Sequence, residues 1–173
     1  MDLDSVIRKV PDFPKPGILF YDITSLFTAP AAFAFVIDEM VKHYASVKID
    51  GVIAIESRGF LPAAPFAVKK GLPLVLARKK GKLPGKTIEE DYSLEYGTAT
   101  LQVHETDLTA GKNWLIVDDL IATGGTIEAV AKMILRRKAL VAGVFGIIGL
   151  PFLKYEARIG KYRPKTLINY QGE

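Results

Sequence analysis

The chain of 173 residues contains no cysteine. That excludes disulfides, thiolate metal sites and a cysteine nucleophile, and it fits a reducing, cytoplasmic setting. No apolar run reaches the roughly 18 residues needed to span a bilayer. The longest, 139–150, is interrupted by Gly143, Gly146 and Gly149, so no membrane span is expected. The start, Met1-Asp2-Leu3-Asp4, is acidic and lacks an apolar h-region, so a signal peptide is not expected either. The two histidines, His43 and His104, have no spaced partner and mark no metal site. Repeats, low-complexity tracts and an interdomain linker are also missing, and the length suits one domain over 1–173.

What is present is a 49% apolar chain, enough to bury a full core, with a net charge of +4. A mildly basic balance is compatible with nucleic acid or with small anionic substrates, and the location of the charge decides between them. The pattern predicts a short helix over 2–9, then an irregular segment forced by Pro11, Pro14, Pro16 and Gly17. Phe33, Val36, Ile37, Met40, Val41 and Tyr44 recur at helical spacing over 31–46. Strand 51–55, helix 59–70, strand 74–77 and a basic loop follow. A β-hairpin is expected from 92–96 and 98–104 around Gly97. Strand 114–118, helix 126–137, strand 140–149, helix 151–160 and strand 166–170 complete the chain. Strands alternating with helices imply an α/β fold with a mostly parallel central sheet covered on both faces, and the hairpin is an antiparallel flap.

The most informative stretch is Leu115-Ile116-Val117-Asp118-Asp119, continued by Leu120-Ile121 and the loop Ala122-Thr123-Gly124-Gly125-Thr126. Three apolar residues make a buried strand, and two acids stand where it ends. A parallel strand running into a helix N-terminus is where α/β proteins bind phosphorylated ligands. Small side chains let backbone N–H groups close around a phosphate, and Thr123 and Thr126 add hydroxyl donors. The acids can hold sugar hydroxyls or a hydrated metal beside it. The Gly-Lys-Ser/Thr ending of nucleotide-hydrolysing loops is absent, so hydrolysis of a nucleoside triphosphate is not expected. Taken alone, the segment is also compatible with a plain strand-to-helix turn capped by threonine. Gly143, Gly146 and Gly149 have regular spacing but lie inside a Val/Phe/Ile run, where glycine relieves crowding and does not form a dinucleotide fingerprint.

Glu56-Ser57-Arg58-Gly59 follows the buried strand Val52-Ile53-Ala54-Ile55 and makes a second strand-end loop, with one fixed cation. Arg58 can grip a phosphate through two N–H groups, or pair with a glutamate at the surface. Arg78-Lys79-Lys80-Gly81-Lys82-Leu83-Pro84-Gly85-Lys86 carries five basic residues in nine, more than the whole net charge. Two glycines and a proline mark it as a mobile loop. It is either a solvated loop, a nucleic-acid patch or an anion clamp, and its lack of aromatic residues weakens the second. In Tyr92-Ser93-Leu94-Glu95-Tyr96-Gly97, Glu95 lies at the hairpin turn, where glutamate is ordinarily solvated. Phe13-Pro14-Lys15-Pro16-Gly17-Ile18-Leu19-Phe20-Tyr21-Asp22-Ile23-Thr24 is an apolar arm rich in turn residues.

From Pro11 to about Tyr155 these five ordered motifs resemble those of the type I phosphoribosyltransferases, and of their adenine-specific branch in particular. The resemblance implies that family's fold, with a small N-terminal hood (about 1–25) over the base and a mobile catalytic loop and hairpin (about 78–97). It implies purine salvage: transfer of the phosphoribosyl group of 5-phosphoribosyl 1-pyrophosphate (PRPP) to N9 of adenine, giving AMP and pyrophosphate through an oxocarbenium-like state. Asp118 and Asp119 would hold the ribose hydroxyls, and Ala122, Thr123, Gly124, Gly125 and Thr126 the 5′-phosphate. Ser57, Arg58, Arg78, Lys79, Lys82 and Tyr96 would meet the pyrophosphate, with a non-proline cis peptide at Glu56–Ser57. Glu95 would perform general acid/base work at the purine. Leu19, Phe20 and Tyr21 would form the adenine side, Phe20 covering the base. Mg2+ would arrive on the oxygens of PRPP and water, with no direct protein ligand. Relatives are homodimers, so a homodimer is expected, with no nucleic-acid or membrane partner. One departure stands out: the residue after Phe20 is commonly Arg or Lys in the family and is Tyr21 here. Tyr21 either substitutes by stacking or belongs to a differently arranged hood. Two other functions fit the same core motifs: a phosphoribosyltransferase for xanthine, hypoxanthine or guanine, and a PRPP-sensing regulator. The basic cluster belongs to the catalytic loop, which argues for an enzyme.

Overall fold

The computed structural model of the chain describes residues 1–93 and 97–172. It begins with a small antiparallel hairpin, β1 (Arg8–Pro11) and β2 (Leu19–Asp22). Two helices, α1 (Thr24–Phe27) and α2 (Pro30–His43), lead into β3 (Gly51–Ile55), α3 (Phe60–Lys70) and β4 (Leu74–Lys79). An antiparallel hairpin, β5 (Thr87–Ser93) and β6 (Thr98–His104), comes next. Then come β7 (Asn113–Val117), the two-residue β8 (Leu120–Ile121), α4 (Gly125–Arg136), β9 (Leu140–Gly149), α5 (Tyr155–Ile159) and β10 (Pro164–Asn169). Among the described residues the main sheet has eight strands in the order β10-β9-β7-β3-β4-β6-β5, with β8 beside β9. The pairs from β10 to β4 are parallel, and the hairpin is added antiparallel to the end of β4.

Alternation along the central strands divides the core in two. Val52, Ala54, Leu115 and Val117 face α2 and α3, where Val36, Met40, Ala63 and Phe66 complete one cluster. Ile53, Ile55, Trp114 and Ile116 face α4, against Ile127, Val130, Met133 and Ile134. Every residue of β3 is buried, as a parallel strand covered on both faces requires. The α/β expectation is therefore met, and Gly146 behaves as the crowded β9 implied: a Cβ there would lie 2.7 Å from the Ile121 side chain.

Three local expectations fail. The helix over 2–9 is a single turn, with Val6 and Ile7 N–H donating to the Leu3 carbonyl, after which Arg8 enters β1. Leu3 and Ile7 are buried, and pairing with β2 gives the following backbone more partners than a frayed isolated helix would. The helix over 151–160 breaks at Lys154, whose positive φ (58°) separates a 3-10 turn (Pro151–Leu153) from α5. The 78–86 segment also starts later than expected, because Arg78 and Lys79 still belong to β4.

Candidate active site

Three strand ends converge on one edge of the sheet. The Ile55 end of β3 runs into Glu56-Ser57-Arg58-Gly59, β4 ends on Arg78 and Lys79, and β7 ends on Asp118 and Asp119. Close packing draws the first and third together. A Cβ on Gly59 would stand 2.6 Å from the Ile55 carbonyl oxygen and 2.9 Å from that of Val117, so only glycine fits. The Glu56–Ser57 peptide is cis, as the resemblance implied, and Phe13–Pro14 is cis as well.

The acidic pair is buried, at 7% and 6% exposure. Asp118 N–H donates to the Phe145 carbonyl (2.9 Å), and the Asp119 carbonyl accepts from Ile147 and Ile148 N–H, so both backbones are locked to β9. Asp118 Oδ1 accepts from Asp119 N–H at 2.9 Å. Burial, then the neighbouring Asp119 charge, pushes the Asp118 carboxyl well above the usual carboxylate range. Arg58 Nε stands 2.8 Å from Asp119 Oδ2. The contact is ionic in geometry: Asp119 Oδ2 is buried and accepts no hydrogen bond.

Beyond the pair, Ala122, Thr123 and Gly124 turn the chain into α4, and Gly124 at the cap has φ 78°. No side chain caps this helix, so its first N–H groups and the Thr126 hydroxyl border the turn. Thr123 is exposed, and Gly124 and Gly125 are buried.

Glu56, expected from sequence only as part of the strand-end loop, organises the neighbouring basic residues. Its carboxylate accepts from Arg78 Nε (3.2 Å) and from Lys79 N–H (2.8 Å). Burial opposes its charge, but these two donors outweigh that and hold Glu56 below the usual glutamate range. The signal was available as an acid directly after a buried strand. Tyr92, on β5, was also missed. Burial first, then the charges of Asp118 and Glu56, raise its phenol, so it faces the same anionic centre. Lys79 and Lys82 are exposed and form no ion pair among the described residues. The turn after β4 is tied to the hairpin by Lys80 N–H to the Thr100 carbonyl and Gly81 N–H to Gln102 Oε1. Arg136 of α4 pairs with Glu90 of β5, holding that hairpin to the helix behind the phosphate turn. Glu95 and Tyr96 lie outside the described residues.

On the hood, Phe20 meets Phe13 edge-on at 5.0 Å, and Val10, Phe13, Phe20, Asp22 and Thr24 line a shallow concavity. Leu19 is half-buried next to Phe20. Tyr21 points the other way, stacked on Tyr170. Thus the structure gathers Ser57, Arg58, Arg78, Asp118, Asp119 and the 122–126 turn on one sheet edge, and it directs the Tyr21 ring away from the face that carries Phe20.

Comparison with known sequences agrees with this geometry. The phosphoribosyl transferase domain family matches residues 22–165. The adenine phosphoribosyltransferase of Treponema denticola is 52% identical over 171 residues, covering 99% of this chain and 90% of that protein. The chain belongs to the adenine phosphoribosyltransferase family. The crystal structure of the family member from Thermoanaerobacter pseudethanolicus superposes with a TM-score of 0.93 at 40% identity, covering 98% of each chain. That of Saccharomyces cerevisiae, complexed with an imino-altritol bisphosphate and adenine, gives 0.89 at 34% identity and covers 96% of each. The family's fold therefore extends over nearly the whole chain, hood included.

Proposed function

We propose that the chain makes AMP and pyrophosphate from adenine and PRPP, serving purine salvage. The observation that carries this reading is the Asp118–Asp119 pair: two buried carboxylates, one of them paired with Arg58, between an uncapped helix start and that guanidinium. That order suits a sugar whose two hydroxyls lie between a phosphate and a pyrophosphate. The yeast relative bound to adenine supports adenine as the acceptor.

In this reading Ala122, Thr123, Gly124, Gly125 and Thr126 hold the 5′-phosphate through backbone N–H groups and hydroxyls. Asp118 and Asp119 accept hydrogen bonds from the ribose. Ser57, Arg58, Arg78, Lys79, Lys82 and Tyr96 receive the pyrophosphate, with Glu56 presenting Arg78 and the Lys79 backbone. The C1′–oxygen bond to pyrophosphate breaks as N9 of adenine bonds to C1′. The positive charge that develops on the sugar lies beside the acidic pair, and the negative charge that develops on the leaving group lies beside the cations. Glu95 exchanges the purine proton. Leu19 and Phe20 cover the base, while Tyr21 serves from behind the strand. The loop that follows β4 closes over the reactants and excludes water, carried by a hairpin held against α4, and residues 1–25 form the hood of a single domain.

Magnesium fits this donor set as a passenger of the substrate. The described residues contain no group of three side chains able to cage a metal, so the ion would be held through substrate oxygens and water. When bound, the ion would neutralise charge on the departing pyrophosphate. A homodimer belongs to the same reading, supported by Leu61 and Val68 exposed on α3. So does a cytoplasmic setting, supported by the absence of cysteine. The test is product formation from PRPP with adenine, hypoxanthine, guanine and xanthine in parallel. AMP from adenine should dominate; preference for another base, or no nucleotide from any, overturns the reading.

A further inference from the structure

Tyr21 occupies a buried position, at 9% exposure, on the inner face of β2. Its ring stacks on Tyr170 with centroids 3.6 Å apart and planes 10° from parallel. Its hydroxyl is 3.4 Å from the Gly172 carbonyl, to which it donates. Tyr170 lies one residue past β10, and its N–H donates to the Gly149 carbonyl at 3.0 Å, so its backbone is fixed to the main sheet. The Tyr170 hydroxyl donates to Asp4 Oδ1 at 2.6 Å. Asp4 Oδ2 in turn pairs with Lys9 Nζ at 2.7 Å, and that ammonium sits 5.8 Å from the Tyr170 ring centroid. Lys9 belongs to β1, and its backbone is opposite Tyr21 in the hairpin register. One aromatic residue anchored to the main sheet is thus held by both strands of the hood, through Tyr21 directly and through Lys9 by way of Asp4.

A two-stranded hairpin is marginal by itself and needs an anchor. Successive side chains of a strand point to opposite faces, so fixing the ring of Tyr21 inward fixes Phe20 outward.

We propose that Tyr21 and Tyr170 are positioning residues that latch the hood to the sheet and set affinity for the purine through Phe20. Neither touches substrate. The proposal rests on the adenine and PRPP reading above. Replacing the ring while keeping apolar bulk, Tyr170→Leu, should raise KM for adenine about two- to tenfold, the range that loss of one aromatic pair allows. KM for PRPP should stay within about twofold, since its loops lie on other elements. Tyr170→Phe keeps the stack and should recover most of the adenine affinity. Combining Tyr170→Leu with Phe20→Ala should give less than the product of the single effects, because one acts through the other.

The same assay separates two failures. Wild-type protein that forms no AMP removes the functional reading. Active wild-type protein with an unchanged adenine KM in Tyr170→Leu, or with both KM values raised alike, removes the latch. If Tyr170→Leu fails to fold, Tyr21→Leu decides by the same KM split, with faster amide exchange at 19–22 and unchanged exchange in α2 as the supporting result. Unchanged exchange at 19–22 overturns the proposal.

Discussion

Arg58 and Asp119 neutralise each other across the sheet edge, with Nε 2.8 Å from Oδ2. The cation assigned to pyrophosphate is therefore held by an acid assigned to ribose. The Arg58 side chain is 40% exposed and that of Asp119 8%, so the pair is lopsided. Screening limits its worth to about 0.5–1 kcal/mol of stability. Its larger effect lies in aiming the guanidinium. Arg58→Ala should weaken PRPP binding by at least about tenfold, as expected for losing a charged contact, with only a modest fall in melting temperature. A titration of PRPP showing wild-type affinity would remove Arg58 from the site.

Asp118 makes stability depend on pH. Its carboxyl is raised by burial first and by Asp119 second, so the folded protein binds that proton more tightly than the unfolded chain. The associated stability is fully present below the ordinary carboxylate value of about 3.9. It is lost as pH rises through the raised folded value. Asp118→Asn should therefore melt higher than wild type near neutral pH, with the advantage shrinking towards pH 4. A melting-temperature difference that does not change with pH contradicts this. The double variant Asp118→Asn with Asp119→Asn should lose PRPP affinity and turnover together.

Glu56 shows the opposite sign. Its carboxyl is lowered, the Lys79 and Arg78 donors outweighing burial, so its stabilisation is present above the ordinary glutamate value and is lost as pH falls through the folded one. Glu56→Gln should destabilise the protein by about 1–2 kcal/mol at neutral pH and raise KM for PRPP, because Arg78 loses its aim. Denaturant titration at pH 7 and at pH 4 measures the first effect, which should fade at the lower pH.

Glu95→Ala should reduce kcat by about 10²- to 10⁴-fold, the usual contribution of general acid/base catalysis, with PRPP binding largely intact. Single-turnover rates beside a PRPP binding titration separate the two. Turnover near wild type would take Glu95 out of the mechanism.

Much of this was written locally in the chain. The buried run of β3, the Leu115-Ile116-Val117 strand with its two acids, and the small residues before α4 announce themselves by period and composition, because strand alternation and helix starts are short-range properties. The same holds for the boundaries of β9, which the expected 140–149 matches. Local pattern misled where partners were distant. Residues 2–9 have a helical rhythm, but Leu3 and Ile7 join a core built by α2 and the sheet, and the following backbone is claimed by β2. What only the tertiary structure decided is who faces whom: Asp119 with Arg58, Glu56 with Arg78 and Lys79, Tyr21 with Tyr170. Each partner comes from a different element, so the pairing depends on strand order, register and the close approach at Gly59, none of which a local window of sequence contains. The sequence by itself determined which chemical groups stand at the strand ends; packing determined which of them hold one another until substrate arrives.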